Sequence, residues 1–125
     1  MTVARQRLGQ IAEQAVAERL HEDGWRILAR NARTRYGELD LIGLERDALV
    51  FVEVKAGRSG ASSGPARPVL AVGPAKQRRV RTLARAWLAE QRFVPPHRLI
   101  RFDAIGVSFD PGGQLIDFEH IRDAF

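Results

Sequence analysis

The sequence predicts an α/β fold in one domain, residues 1–125, with the element order α-β-β-β-α-β and a short return strand. Three features predict it. Two segments carry apolar residues at helical spacing, one near the N-terminus and one after residue 74. Runs rich in β-branched and aromatic residues lie between and after them, separated by turn residues. No internal repeat or linker divides the 125 residues, a length that suits one domain, and an apolar content of 45% is enough for a real core.

The first helix is expected from about Ala4 to Asp23. Leu8, Ile11, Ala12, Ala15 and Val16 fall on one stripe, and Gly24 supplies the stop. Trp25 to Ala29 reads as a short strand, followed by a basic turn, Asn-Ala-Arg-Thr-Arg. YGELDLIGLE and ALVFVEVK read as an antiparallel hairpin closed by a polar turn at Glu45-Arg46-Asp47. Ala56 to Gly73, rich in Gly, Ser and Pro, is expected to be a long loop, either functional or a tolerated insertion. Pro74 suits the first turn of a second helix, whose stripe is Val80, Leu83, Ala84, Trp87 and Leu88. That helix is expected to run to about Arg92, before Pro95-Pro96. Arg98 to Phe109 reads as a strand, Asp110 to Gly113 as a turn, and Leu115 to Phe118 as a return strand.

Composition narrows the function. No apolar run approaches the ~20 residues needed to span a bilayer. The N-terminal stretch MTVARQRLGQIAEQ lacks the apolar core and cleavage site of a signal peptide. A soluble cytoplasmic protein without a membrane partner is expected. The chain has no cysteine, which excludes disulfides, a thiol nucleophile and a thiolate metal site. A net charge of +5 and a pI near 10.9 favour a polyanionic partner. Between Lys76 and Arg101 the sole acid is Glu90, against eight basic residues, so the positive charge is concentrated there.

The chemistry is concentrated in the hairpin. Side chains alternate along a strand. Val50, Val52 and Val54 share one face of the third strand, and Leu49, Phe51, Glu53 and Lys55 the other. In the second strand Leu39 and Leu41 are expected to oppose Glu38, Asp40 and Ile42. A two-residue loop at Arg46-Asp47 pairs Glu45 with Ala48, which brings Asp40 opposite Glu53 and Glu38 opposite Lys55. Like charges at directly opposed positions destabilise a sheet. Protonation of one acid or a hard cation offsets that repulsion, because carboxylate oxygens are what Mg²⁺ or Mn²⁺ takes. The alternative is a solvated strand face with cross-strand salt bridges. Of 20 basic residues, Lys55 and Lys76 alone are lysine, so a chain that otherwise uses arginine places a compact amine beside Glu53. Glu13, at the border of the first helix's stripe and one turn from the small Gly9, is a further oxygen donor or an ordinary boundary residue.

GQIAEQAVAERL, NARTRYGELDLIGLERDALVFVEVKAGRS, KQRRVRTLARAWL, RFDAIGV and the terminal HIRDAF together resemble the YraN-like family of small bacterial proteins. That family is similar to the PD-(D/E)xK nuclease superfamily, which includes Holliday junction resolvases. The resemblance implies a restriction-endonuclease-like core with a mixed central sheet flanked by helices. It implies a Mg²⁺- or Mn²⁺-dependent endonuclease acting on nucleic acid, DNA ahead of RNA, with a branched substrate and a homodimer both open. The alternative is a non-catalytic nucleic-acid-binding module on the same fold. By position, Asp40 matches the superfamily's first acid, Glu53 and Lys55 its ExK element, and Val54 a main-chain carbonyl donor to metal. Glu13 matches the acid of the first helix in the resolvase-like branch, and Glu38 belongs to the GExDLI pattern in a supporting role. Lys76 and Arg79 match the basic start of the second helix. Ala12 stands where the family commonly has glycine. Arg58 lies one residue later than the family's arginine, which weakens a phosphate-binding role for it. Arg78, Arg81 and Arg85, at i, i+3 and i+7, form a stripe for a sugar-phosphate backbone or a solvated helix face.

Overall fold

A computed structural model describes residues 3–58, Val69 and 72–125. Its elements are α1 (Val3–Glu22), β1 (Arg26–Thr34), β2 (Gly37–Glu45), β3 (Ala48–Arg58), α2 (Pro74–Glu90), β4 (Leu99–Phe109) and β5 (Leu115–Ile121). The order α-β-β-β-α-β with a return strand is the expected one. The five strands form one sheet in the order β1-β2-β3-β4-β5. β3 and β4 run parallel, joined by the crossover that contains α2, and the other neighbours are antiparallel. The sheet is therefore mixed, with α1 on one face and α2 on the other.

Each face has its own core. On one, Ala12, Val16, Ala17 and Leu20 of α1 pack against Leu41, Val50, Val52, Val54, Ile105 and Val107. On the other, Val80, Leu83, Ala84 and Trp87 of α2 cover Leu39, Ile42, Leu49 and Phe51. The stripe of α1 is rotated from the one expected, because Ile11 is 46% exposed while Ala17 and Leu20 are buried. α1 ends as its sequence directs: Gly24 adopts φ 96°, and the Trp25 and Gly24 N–H groups donate to the carbonyls of Leu20 and His21 at 2.9 and 3.0 Å. This pair of bonds is the Schellman closure, which needs a left-handed residue.

Several boundaries differ from expectation. Asn31–Thr34, read as part of a basic turn, continue β1, because they pair with β2 from Ala32↔Leu39 to Thr34↔Gly37. The turn is instead Arg35–Tyr36. β3 extends through Ala56–Arg58, three residues into the expected loop, because β4 pairs with it up to Arg58↔Phe109. Most of that loop lies outside the described residues. β5 runs on to Ile121, pairing with Ala104.

The β2–β3 hairpin has the two-residue loop expected, with Glu45 paired to Ala48 and Arg46 in left-handed backbone at φ 55°. One face assignment is corrected. Leu41 packs on the α1 side and Leu39 on the α2 side, although strict alternation puts them together. The cause lies next to Asp40. Arg30 pairs with Leu41 and Ala32 with Leu39, and Asn31 between them is left-handed at φ 48°, so the two strands change faces at this point.

β4, β5 and the C-terminal segment are fastened by a second charged group. Asp103, fully buried, receives the Arg101 guanidinium at 2.8 and 2.9 Å, the His120 ring at 2.8 Å and the Asp123 N–H at 3.0 Å. Arg101 and Arg122 both reach Glu45. The paired arginines hold the Glu45 carboxyl down at about 2. Burial works against ionisation of Asp103, but His120, Arg101 and the Asp123 N–H together hold its carboxyl below the usual range.

Candidate active site

The site forms where β2 and β3 part. Their ladder runs from Glu45↔Ala48 to Leu41↔Val52. At the next position Asp40 Oδ2 accepts a hydrogen bond from the Val54 N–H at 2.9 Å, so a side chain takes over from the ladder. Glu53, 5% exposed, lies against Asp40, and the two carboxyl groups interact directly. Burial, and next the charge of Glu53, push the Asp40 carboxyl up to about 7, against the Val54 N–H, which favours the anion. The pair therefore holds a proton near neutral pH when no cation is present.

α1 brings the third acid. Glu13 follows the fully buried Ala12 and reaches the sheet at the face change, where Asn31 donates a hydrogen bond to it. Burial raises its pKa; Asn31 and Arg30 oppose the rise, and Glu38 and Glu53 add to it. Its Oε2 atom is buried and has no hydrogen-bond partner among the described residues. Arg30 in turn donates to Gln14 at 2.7 Å, tying β1 to α1 beside the acid. Gly9, one turn before Glu13, allows no close approach to the sheet, because a Cβ there would meet open space.

Both lysines of the chain come to Glu53. Lys55 Nζ lies 3.8 Å from Glu53 Oε1, and Lys76 Nζ lies 3.0 Å from the same atom. Lys76 is in the first turn of α2, which the crossover sets at this end of the sheet. Burial opposes its charge, but Glu53 and Asp40 hold its ammonium above the usual lysine range. Its place in the carboxylate site is the feature that sequence spacing alone misses. The signal was present in composition, since the two lysines among 20 basic residues both meet one glutamate.

The other residues named from the sequence divide into groups. Glu38 is exposed and bears on Glu13 rather than standing in the β2–β3 ladder opposite Lys55. Arg79 donates to the Tyr36 carbonyl at 3.3 Å and so holds the β1–β2 turn. Arg78, Arg81 and Arg85 are exposed on α2. Arg81 stacks over the Phe102 ring at 4.7 Å, and with Arg85 it borders a shallow groove of about 340 Å³ floored by Leu88, Ile100 and Phe102. The Arg58 side chain lies outside the described residues. Among the described residues no three His, Asp or Glu side chains stand together as a ready metal cluster. No helix is long and apolar enough to cross a membrane, among the described residues.

A mixed five-stranded sheet between two helices, with an acid pair at its central hairpin, defines an α/β protein of restriction-endonuclease-like arrangement. Residues 12–107 match the model of the uncharacterised protein family UPF0102, and this chain belongs to that family, the YraN-like proteins. A UPF0102 protein of Parafrankia sp. (strain EAN1pec) is 46% identical over 120 residues, covering 96% of this chain and 97% of its own. One from Rhodococcus opacus (strain B4) is 45% identical over 118 residues, 94% and 95% of the two chains. One from Bifidobacterium longum subsp. infantis is 42% identical over 118 residues, 94% and 91%.

Proposed function

We propose that this chain is a divalent-metal-dependent endonuclease hydrolysing phosphodiester bonds in nucleic acid, DNA ahead of RNA. The observation that carries the reading is Glu13 Oε2, buried without a partner among the described residues and beside acids that repel it. Buried polar atoms are nearly always partnered. Acids drawn into one site raise one another's pKa until a cation joins them. The donor chemistry fits Mg²⁺ or Mn²⁺, with Asp40, Glu53 and Glu13 as side-chain donors and the Val54 carbonyl as a main-chain donor. When bound, such a cation neutralises phosphate charge and acidifies a water.

The chain's own residues supply the rest. The Val54 N–H fixes Asp40 through Oδ2. Lys55 orients the attacking water or meets the negative charge that grows on the phosphate. Lys76 is the counter-ion of Glu53 in the resting protein. Glu53 must release it before the carboxylates can turn to a common point. Glu38 supports the site from its rim, and Arg78, Arg81 and Arg85 offer charge to the sugar-phosphate backbone.

The test is cleavage of duplex, flapped, junction and RNA substrates in Mg²⁺ and Mn²⁺, with calorimetric metal binding alongside. Lys55→Ala is expected to lose cleavage and keep metal binding. Inertness of the wild type on every substrate would favour the second reading, a non-catalytic nucleic-acid-binding module. That reading draws on the Lys76–Glu53 pair, which already neutralises part of the site without metal.

A further inference from the structure

The turn between β1 and β2, Arg35–Tyr36, is more firmly held than a two-residue surface turn requires. Thr34 Oγ1 donates to the Gly37 carbonyl at 2.8 Å and accepts from the Tyr36 N–H at 3.1 Å. The Arg35 N–H donates to Glu90 at 3.3 Å, and Arg79 donates to the Tyr36 carbonyl at 3.3 Å. Two side chains of α2, one from its second turn and one from its last residue, therefore grip the turn. Gly37, at φ 146°, leaves room for that grip, because a Cβ there would lie 2.7 Å from Arg79 Nη2.

The Tyr36 side chain held out by this turn remains 58% exposed. The Arg35 guanidinium lies over the ring, 5.4 Å from its centroid, Arg79 reaches the Tyr36 carbonyl, and Arg33 is exposed three residues earlier in the chain. Fixing the backbone of an aromatic residue while leaving its ring exposed forgoes the apolar burial that usually accompanies such ordering. An exposed ring on a fixed turn, with the Arg35 guanidinium on it and the Arg79 guanidinium at its backbone carbonyl, suits a flat, electron-rich ligand attached to phosphates. A nucleobase matches that chemistry, by stacking on the ring and on guanidinium planes.

We propose that Tyr36 is a stacking platform for an unpaired base, so that the substrate class is nucleic acid with a bulge, fork or junction. This rests on the nuclease reading above. Paired bases inside a duplex have their faces covered by neighbours, and only an unstacked base offers a face to Tyr36. Tyr36 precedes Asp40 by four residues along the chain, which at strand rise is roughly 13 Å. At about 3.4 Å per nucleotide, cleavage falls within about four nucleotides of the stacked base.

The experiment is binding, in chelator, of DNA duplexes carrying an unpaired 2-aminopurine or fully paired, by wild type, Tyr36→Phe and Tyr36→Ala. The wild type is expected to prefer the bulged duplex by about 10-fold, quenching 2-aminopurine fluorescence. Tyr36→Phe keeps the preference. Tyr36→Ala brings the bulged duplex down to the paired one, with an unchanged salt slope and melting temperature. Equal affinity of the wild type for both duplexes, or a preference that survives Tyr36→Ala, overturns the inference and leaves the nuclease reading standing. A wild type that binds neither duplex at low salt also overturns the inference, and the nuclease reading is then decided by the cleavage test in Mg²⁺ and Mn²⁺.

Discussion

Asp40→Asn tests the acid pair most directly. In the wild type without metal, Asp40 has a folded-state pKa of about 7 against an ordinary 3.8. A raised carboxylate pKa means that the folded state binds the proton more tightly. The stability linked to Asp40 is then fully present below pH 3.8 and is lost as pH rises through 7. Each unit of pKa is worth about 1.4 kcal/mol, so the ceiling on that loss is about 4 kcal/mol. Asparagine keeps the shape, its amide oxygen can accept from the Val54 N–H, and its NH₂ can donate to Glu53. It also deprives Lys76 of a nearby charge, which offsets part of the gain. We expect Asp40→Asn to be more stable than wild type at pH 8 by about 2 kcal/mol. For a chain of this length that is a rise in Tm of roughly 6 °C. The difference should vanish near pH 4, where both proteins carry a neutral group at this position. Calorimetric melts in chelator from pH 4 to 8 read it out. A variant less stable than wild type at pH 8, or a difference that does not vary with pH, would refute the reasoning.

Further outcomes follow from the same geometry. Mn²⁺ at 100 times its Kd should stabilise the wild type by about 2.7 kcal/mol and leave the melting of Asp40→Asn unmoved; thermal shift with and without chelator checks this. Lys76→Met removes the resting counter-ion of Glu53 and should lower apo stability at pH 7 by about 1 kcal/mol, while enlarging the rise in Tm that Mn²⁺ produces. Arg81→Ala with Arg85→Ala should reduce the log-log salt slope of duplex DNA binding by about 1.8, at about 0.9 for each lost phosphate contact; an unchanged slope makes those arginines only the rim of the α2–β4 groove. Asp103→Asn should destabilise the protein by about 3 kcal/mol or more at pH 7, because it leaves Arg101 partly buried and short of a charge partner, and denaturant titration would show it.

How much of this was legible in the sequence depends on how local the cause is. The loop at Arg46-Asp47 is closed by its neighbours, and the shared face of Val50, Val52 and Val54, opposite Leu49 and Phe51, followed from the alternation along β3. The face change at Asn31 was not legible, because strict alternation is the rule that places side chains on a strand, and a single left-handed residue suspends it. For the same reason Leu39 and Leu41 were assigned to one face and belong to two. Asn-Ala-Arg-Thr-Arg has turn-like composition, and only pairing with β2 makes its first four residues a strand. Lys76 was read as part of a basic helix start, since its contact with Glu53 spans a crossover whose length and direction no periodicity encodes. The Asp103 group draws on Arg101, His120 and Asp123, and Arg101 had been read only as part of a charge block.

The two charged groups along β2 differ in how their burial is balanced, and the difference supports the proposed site at Asp40. Glu45 and Asp40 are five residues apart on one strand, roughly 17 Å at strand rise. Around Glu45 and Asp103, two arginines, a histidine and a backbone N–H answer two carboxylates, and both pKa values fall. That arrangement is what a fold needs to join β2, β4, β5 and the C-terminus, and it leaves no reason for a ligand. Around Asp40 the balance is reversed. Three acids from α1, β2 and β3, with Glu38 at the rim, face two lysines, Arg30, Asn31 and the Val54 N–H, yet the pKa values of Asp40 and Glu13 rise, and one Glu13 oxygen is buried without a partner among the described residues. The protein bears that imbalance in its resting state although β4 shows the same chain building a balanced network. A carboxylate cluster kept short of positive charge is destabilising for the fold alone, and it becomes favourable once a cation arrives. This asymmetry, more than the presence of acids on a hairpin, supports reading the Asp40 end of the sheet as the place where chemistry occurs.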